Sequence, residues 1–302
     1  MPLFSDYAAK YRTLWLPDNE RGSVRSDQTL NLPVGSVISK TFFYPQGYAK
    51  LSAAEQYSTH RIAIGNARLI ETRLLVKQAD GWDALTYLWR GNDAKLTRTG
   101  AIVSVALEAA KNQHFDYIVP SRNECASCHA LNHSDGQLQP IGLKPQQLTA
   151  RSHDFELSSL ERIVNRGWLA PKTQARNAYA IWRSQPVDAT NVEDMARDYL
   201  DSNCAHCHST LGPAKNSALN LSRENTGIRG LGVCKPPVAA GKGSGNRSYS
   251  IVPGRPDESI LSYRLHATDP SRRMPEIGRS LKHTAGTRLV DRWISSLSGH
   301  CL

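Results

Sequence analysis

The chain reads as an α+β protein: an N-terminal, mainly antiparallel β part followed by two mostly α-helical segments. Three observations predict this. Runs of β-branched and aromatic residues between turn signals are confined to the first 120 or so residues. Apolar stripes at helical spacing appear only after that point. Each helical part carries one Cys-x-x-Cys-His motif, at 125–129 and at 204–208. The expected organisation is a β-rich part over 1–120, a first motif segment over 121–190 and a second over 191–302.

In chain order, Val37 to Tyr44 is the first expected strand, ended by Pro45, and Arg68 to Val76 the second, closed near Asp80-Gly81. Glu71, Arg73 and Lys77 mark a solvated side of that strand. Trp82 to Trp89, Ala101 to Leu107 and Phe115 to Val119 read as further strands, with Arg90-Gly91-Asn92-Asp93 supplying turn chemistry. After Ser121 the pattern changes. Pro140 to Leu143 reads as a loop, and Leu157, Leu160, Ile163 and Val164 as a short helix ending near Gly167. Val192, Met195, Ala196, Tyr199 and Leu200 form an apolar stripe that runs into Cys204. Asp257 to Leu265 is a further helix. Leu289, Val290, Trp293, Ile294 and Leu297 make the last, stopped by Gly299. The run Gly241 to Gly245 has no strand-to-helix context for a phosphate cradle and reads as a flexible loop.

Cys-x-x-Cys-His is the attachment pattern of a c-type haem. Each cysteine adds across a haem vinyl group, and the adjacent histidine ligates the iron. Two motifs therefore imply two covalently bound haems, held by Cys125, Cys128, Cys204 and Cys207, with His129 and His208 as iron ligands. A zinc ribbon also pairs two Cys-x-x-Cys units, but at roughly 15–20 residues, whereas 76 positions separate Cys128 from Cys204. A thioredoxin-like motif needs one pair and no histidine.

The sixth ligand of the second haem is expected to be Met274, in the charged loop Arg272-Arg273-Met274-Pro275, 66 residues after His208. Met195 sits on an apolar helix stripe and reads as core. For the first haem His153 is the favoured candidate, with His114, His60 and a vacant position as alternatives. His133 falls on the proximal side, and His206 at a haem edge.

The net charge of +10 suits an acidic redox partner or an anionic surface, or serves solubility alone. Basic residues are scattered without an aromatic-rich stripe, so nucleic acid is excluded as a partner. No apolar run approaches the roughly 18–20 residues of a transmembrane helix. The first 20 residues lack the pattern of a secretory signal. Covalent haem attachment happens outside the cytoplasm, so the expectation is a periplasmic protein whose signal is removed from the chain shown, or the tail of a longer secreted protein. Cys234 and Cys301 are the even remainder, which in an oxidising compartment favours a disulfide over free thiols or a thiolate haem ligand.

Several stretches carry a family resemblance. Arg68 to Trp82, Val119 to His129, Gly232 to Gly241, Ile251 to Leu261 and Met274 to Ser280 resemble a proteobacterial di-haem c-type cytochrome family of largely uncharacterised function, along nearly the whole chain. Helix, motif, mid-domain helix, Met-Pro loop and Trp-bearing last helix together resemble a class I cytochrome c domain. Members of the family occur as separate periplasmic proteins or fused to quinoprotein sugar dehydrogenase domains. The resemblance implies electron transfer from a redox partner of the quinoprotein dehydrogenase kind to a downstream acceptor, and a structural role for Cys234. Two alternatives stand beside it. One is a di-haem peroxidase, with which the large β part and the short offset between motifs fit poorly. The other is a small-ligand binder in which the β part forms the pocket of an open first haem.

Overall fold

Strand-forming runs with a period of two need partners on both edges, and the N-terminal part supplies them as one twisted antiparallel sheet. A computed structural model describes residues 3–45, 67–107, 113–149, 158–171, 173, 187–239 and 241–302. Strands β1 (Ala9–Trp15), β4 (Val37–Pro45), β5 (Ala67–Gln78), β6 (Gly81–Arg90) and β7 (Asp93–Thr97) are hydrogen-bonded in the order β1-β4-β5-β6-β7. A short ribbon, β2 (Ser23–Val24) with β3 (Leu30–Asn31), and a hairpin, β8 (Ala101–Leu107) with β9 (Gln113–Val119), complete the β part. All five expected strands form. The expectation missed the short β2–β3 ribbon, β1, whose only period-two signal is short and rich in charge, and β7, which resumes pairing directly after the turn at Gly91-Asn92.

Register fixes what each face meets. Cross-strand partners share a face, so Lys10, Phe42, Glu71 and Leu88 stand in one row and Arg12, Lys40, Arg73 and Thr86 in the next. This inner face is apolar at both ends. At one end Phe42, Tyr44 and Ile70 pack under Val105, Leu107, Tyr117 and Val119 of the β8–β9 hairpin. At the other, Leu14, Ile38, Leu75 and Trp82 join Leu30 and Leu32. Glu71, read from sequence as solvated, is buried: Arg73 and the Tyr117 hydroxyl both donate to its carboxylate.

The helical part comprises α1 (Arg122–His129), α2 (Pro145–Leu148), α3 (Ser159–Asn165), α4 (Val192–Asn203), α5 (Ile260–His266) and α6 (Thr284–Ser296). Each expected helix is present, although Leu157 lies outside the described residues and a 3-10 turn over Pro256–Glu258 precedes α5. Among the described residues the first motif segment has no core of its own. Leu160, Ile163, Val164 and Leu169 pack into the sheet's second apolar end. The C-terminal part has a separate core of Met195, Tyr199, Leu200, Leu265, Leu289, Trp293 and Ile294. There α4 crosses α6 with the Tyr199 ring so close to Gly286 that a Cβ would lie 2.4 Å from it. The glycine-rich run over 241–245 is not an open loop: Gly241–Ser244 forms a 3-10 turn that packs Gly243 on Arg264, with Gly245 on Tyr263.

Two ties close the molecule. The N-terminal residues reach the far domain: the Asp6 carboxylate accepts from the backbone N–H groups of Ser280 and Leu281, and Phe4 stacks on His283 at 4.2 Å. Cys234 and Cys301 form a disulfide across 67 positions. Among the described residues no helix is long and apolar enough to cross a membrane, and the disulfide fits a compartment outside the reducing cytoplasm.

Closing a loop of that length constrains the unfolded chain by about 2–4 kcal/mol. Replacing Cys234 and Cys301 by Ala is expected to lower unfolding stability by that amount in denaturant titrations. Thiol labelling of the unfolded, unreduced native chain should leave both residues unmodified.

Candidate metal and haem centre

The first motif is built on α1. Ser121 and Glu124 form a reciprocal capping box, the Ser121 hydroxyl accepting from Glu124 N and the Glu124 carboxylate from Ser121 N. On a helix started there, Cys125, Cys128 and His129 stand three and four positions apart and so share one side. The His129 ring is held from behind: its Nδ1 lies 2.8 Å from the Gln139 carbonyl oxygen. A carbonyl only accepts, so Nδ1 carries the proton and Nε2 is left with a lone pair. Burial pushes the pKa of His129 down to about 4, which keeps the ring neutral.

The second motif follows α4 without a break. Cys204 caps that helix, and its carbonyl accepts from both Cys207 N and His208 N, so the chain continues in a helical turn. The turn is locked at Gly212, where a Cβ would sit 2.3 Å from the Cys207 carbonyl oxygen. His208 Nδ1 lies 3.0 Å from Ser217 Oγ, while that hydroxyl donates to Ala214 O at 2.7 Å. Having spent its proton, Ser217 accepts from His208, and again Nε2 is free. Burial holds His208 down to about 4 as well.

The motifs meet. Sulfur atoms of Cys128 and Cys207 and a ring nitrogen of His206 all lie within 4.8 Å of one another. The interaction between the two thiols lowers the pKa of Cys128 and raises that of Cys207. Cys207 Sγ also lies 3.4 Å from Ser127 O. Around this contact runs a polar seam: His133 N donates to Leu211 O, and Lys215 Nζ to Ser134 Oγ. The buried Asp201 of α4 takes Gln147 Nε2 at 3.0 Å, Lys144 Nζ at 3.7 Å and Arg223 N at 3.0 Å. Cys125 and Cys204 stand apart from the cluster, each with its thiol pKa raised by burial, Cys204 to about 12. The four-cysteine set of a zinc ribbon is not assembled among the described residues.

Of the other expected ligands, Met274 lies in the loop after α5, where its N–H donates to Arg264 O and its carbonyl accepts from Arg279 Nε. Arg264 and Glu276 of this region, 3.6 Å apart, act electrostatically on His208 and Cys207 respectively. Met195 is core, as its stripe predicts. His114 shares the outer face of the hairpin with the exposed pair Ile102 and Ile118, away from the first motif. His153 and His60 lie outside the described residues. Sequence reasoning missed the anchoring groups Gln139 and Ser217, for which the chain carries no local signal. It also missed both capping boxes, Ser121–Glu124 and Ser158–Glu161, whose S-x-x-E spacing is plainly there to find.

Two neutral imidazoles anchored through Nδ1 and four cysteines free of disulfides are the donor set that covalent haem needs, and the residues fit it. Comparisons of the chain with family models, curated proteins and solved structures return no match.

The meeting of the motifs is directly testable. In a haem-free chain with Cys125→Ala and Cys204→Ala, mild oxidation is expected to join Cys128 to Cys207 in most molecules. Non-reducing peptide mapping checks this, and a motif separation beyond disulfide reach would leave both thiols free.

Proposed function

We propose that the chain is a periplasmic di-haem c-type cytochrome that passes electrons from a dehydrogenase-type donor, of the quinoprotein kind, to a downstream acceptor. The observation that carries this reading is the convergence of two complete Cys-x-x-Cys-His motifs, Cys128 against Cys207, across 76 positions of intervening chain. Haem, when bound, supplies an iron that changes between ferric and ferrous states with little rearrangement. The chain's own residues do the rest. Cys125 and Cys128, and Cys204 and Cys207, provide the covalent attachment. His129 and His208 present Nε2, and Gln139 O and Ser217 Oγ hold each ring in the required tautomer. Met274 is the proposed sixth ligand beside the second motif. In this reading it gives that haem the higher potential and makes it the exit side. His153 keeps its proposed role at the first. The resemblance to the di-haem cytochrome family supports the same reading through the motifs quoted above.

A second reading rests on the Cys128–His206–Cys207 cluster, whose soft sulfur and imidazole donors suit a zinc ion. It offers three ligands, and the thiols of Cys125 and Cys204 are left without a role. The di-haem reading uses all four cysteines.

Denaturing mass spectrometry of protein matured with a c-type haem system is expected to show two haems retained per chain. Zinc in place of haem in the purified protein favours the second reading. Met274→Ala is expected to lower one of two midpoint potentials and remove the weak near-infrared sulfur-to-iron band. Ser217→Ala takes away the acceptor for His208 Nδ1–H, makes the ring a poorer donor and disfavours the ferric state. One midpoint should therefore rise, by up to about 60 mV, the one-electron equivalent of a hydrogen bond worth about 1.4 kcal/mol. Potentials that ignore both substitutions contradict these ligand assignments.

A further inference from the structure

The inner face of the sheet carries charge where a core is expected. Arg12, Lys40 and Arg73 are consecutive cross-strand neighbours on β1, β4 and β5. Like charges placed directly opposite each other destabilise a sheet. One row along, Lys10 joins them: Lys10 Nζ, Lys40 Nζ and Arg73 Cζ lie 5.5, 4.9 and 4.5 Å from the centroid of the fully buried Phe42 ring. A ring face returns only about 0.5–2 kcal/mol per cation, less than the cost of gathering them out of water. Two acids act on the cluster, and both are already engaged: Glu71 by Arg73 and Tyr117, and Asp6, which acts on Lys10, by Ser280 N and Leu281 N. Four cations against two carboxylates leave an excess of positive charge.

The cluster is only partly covered, with 28 % of the Arg73 side chain exposed. Lys10 is 5 % exposed. Arg12, on the edge strand β1, keeps accessible surface. Burial and then neighbouring cations push Lys10 and Lys40 well below the usual lysine range. The cluster neighbours the first motif: Lys40 and Arg73 act electrostatically on His129, Lys40 on Cys128 and Arg73 on Cys125.

We propose that Lys10, Arg12, Lys40 and Arg73 form an anion-binding site over the first Cys-x-x-Cys-His motif, which takes negatively charged oxygen groups next to the haem carried by Cys125 and Cys128. The proposal rests on the di-haem reading. Two sources offer this chemistry: the propionate carboxylates of that haem, and a small free oxyanion at an open iron position. Either would neutralise the row that the sheet register forces together, and Lys40, at its centre, faces both neighbours.

The test uses the mature protein with its haem content first measured by mass. The ferric absorption spectrum is titrated with sodium nitrite against a sodium chloride control, and both midpoint potentials are measured. The same is done for Lys40→Met, for Arg12→Gln, and for Lys40→Arg as the charge-preserving partner. A saturable nitrite response, weakened at least tenfold in Lys40→Met and restored in Lys40→Arg, assigns the site to a free oxyanion. No nitrite response, with one midpoint lowered in Lys40→Met and Arg12→Gln but kept in Lys40→Arg, assigns it to the propionates. The direction follows because a nearby cation favours the less positive ferrous state. A silent titration with both potentials unchanged in all variants overturns the site while the two haems stand. If no haem is found, the reading beneath the site falls and the site falls with it. Arg12→Gln, at an accessible position, keeps the test alive if Lys40→Met does not fold.

Discussion

One buried carboxylate ties the two motif segments together from three directions. Asp201 sits on α4, three residues before Cys204, and receives Gln147 and Lys144 from the first motif segment and Arg223 N from the second. A buried acid is costly without partners and worth keeping only when its lone pairs are filled. Here the partners come from segments more than 50 positions apart, so satisfying Asp201 sets the first segment against α4. With α4 in place, Cys204 caps it, Cys207 follows one turn later, and the Cys207 sulfur arrives at Ser127 and Cys128. The N-terminal strap does the equivalent for the sheet, since Asp6 is paired with backbone N–H groups at Ser280 and Leu281. Sheet, first segment and last domain are held by buried polar pairs as well as by shared apolar surface.

The sheet has a divided character that follows from its register. Its ends are apolar and take up the hairpin on one side and the helices of the first segment on the other. Its middle row is cationic. A sheet that only needed to bury a face would not place arginine and lysine opposite each other in that row. The arrangement makes sense when the middle of the face is not a packed core, and Arg12 and Lys40 in that row are indeed incompletely covered. The β part thus neighbours the first motif, whereas the second motif follows directly from α4.

Much of this was legible in the chain. Strands such as Trp82 to Trp89 and helices such as Val192 to Asn203 declare themselves because their periodicity is a local property, set by side-chain spacing along a repeating backbone. β1 did not declare itself, because Lys10 and Arg12 occupy the positions where an apolar residue would mark the inward face. For the same reason Glu71 read as solvated. The rule that charge marks the outer side fails where a fold gathers charge inward. The disulfide was legible by counting, since four cysteines belong to the motifs and two remain.

By itself the sequence determined the α+β class, the order of the longer elements and the two motifs, and it favoured the pairing of Cys234 with Cys301. All of these depend on residue type and on spacing within a dozen positions, or on arithmetic over a small set of cysteines. Only the tertiary structure decided that Cys128 meets Cys207, that Gln139 O and Ser217 Oγ orient the two imidazoles, and that Arg12, Lys40 and Arg73 share one row. Those facts depend on strand register and on the docking of distant segments. No local pattern encodes them, because each partner is chosen by the packing and polar pairing of the whole chain.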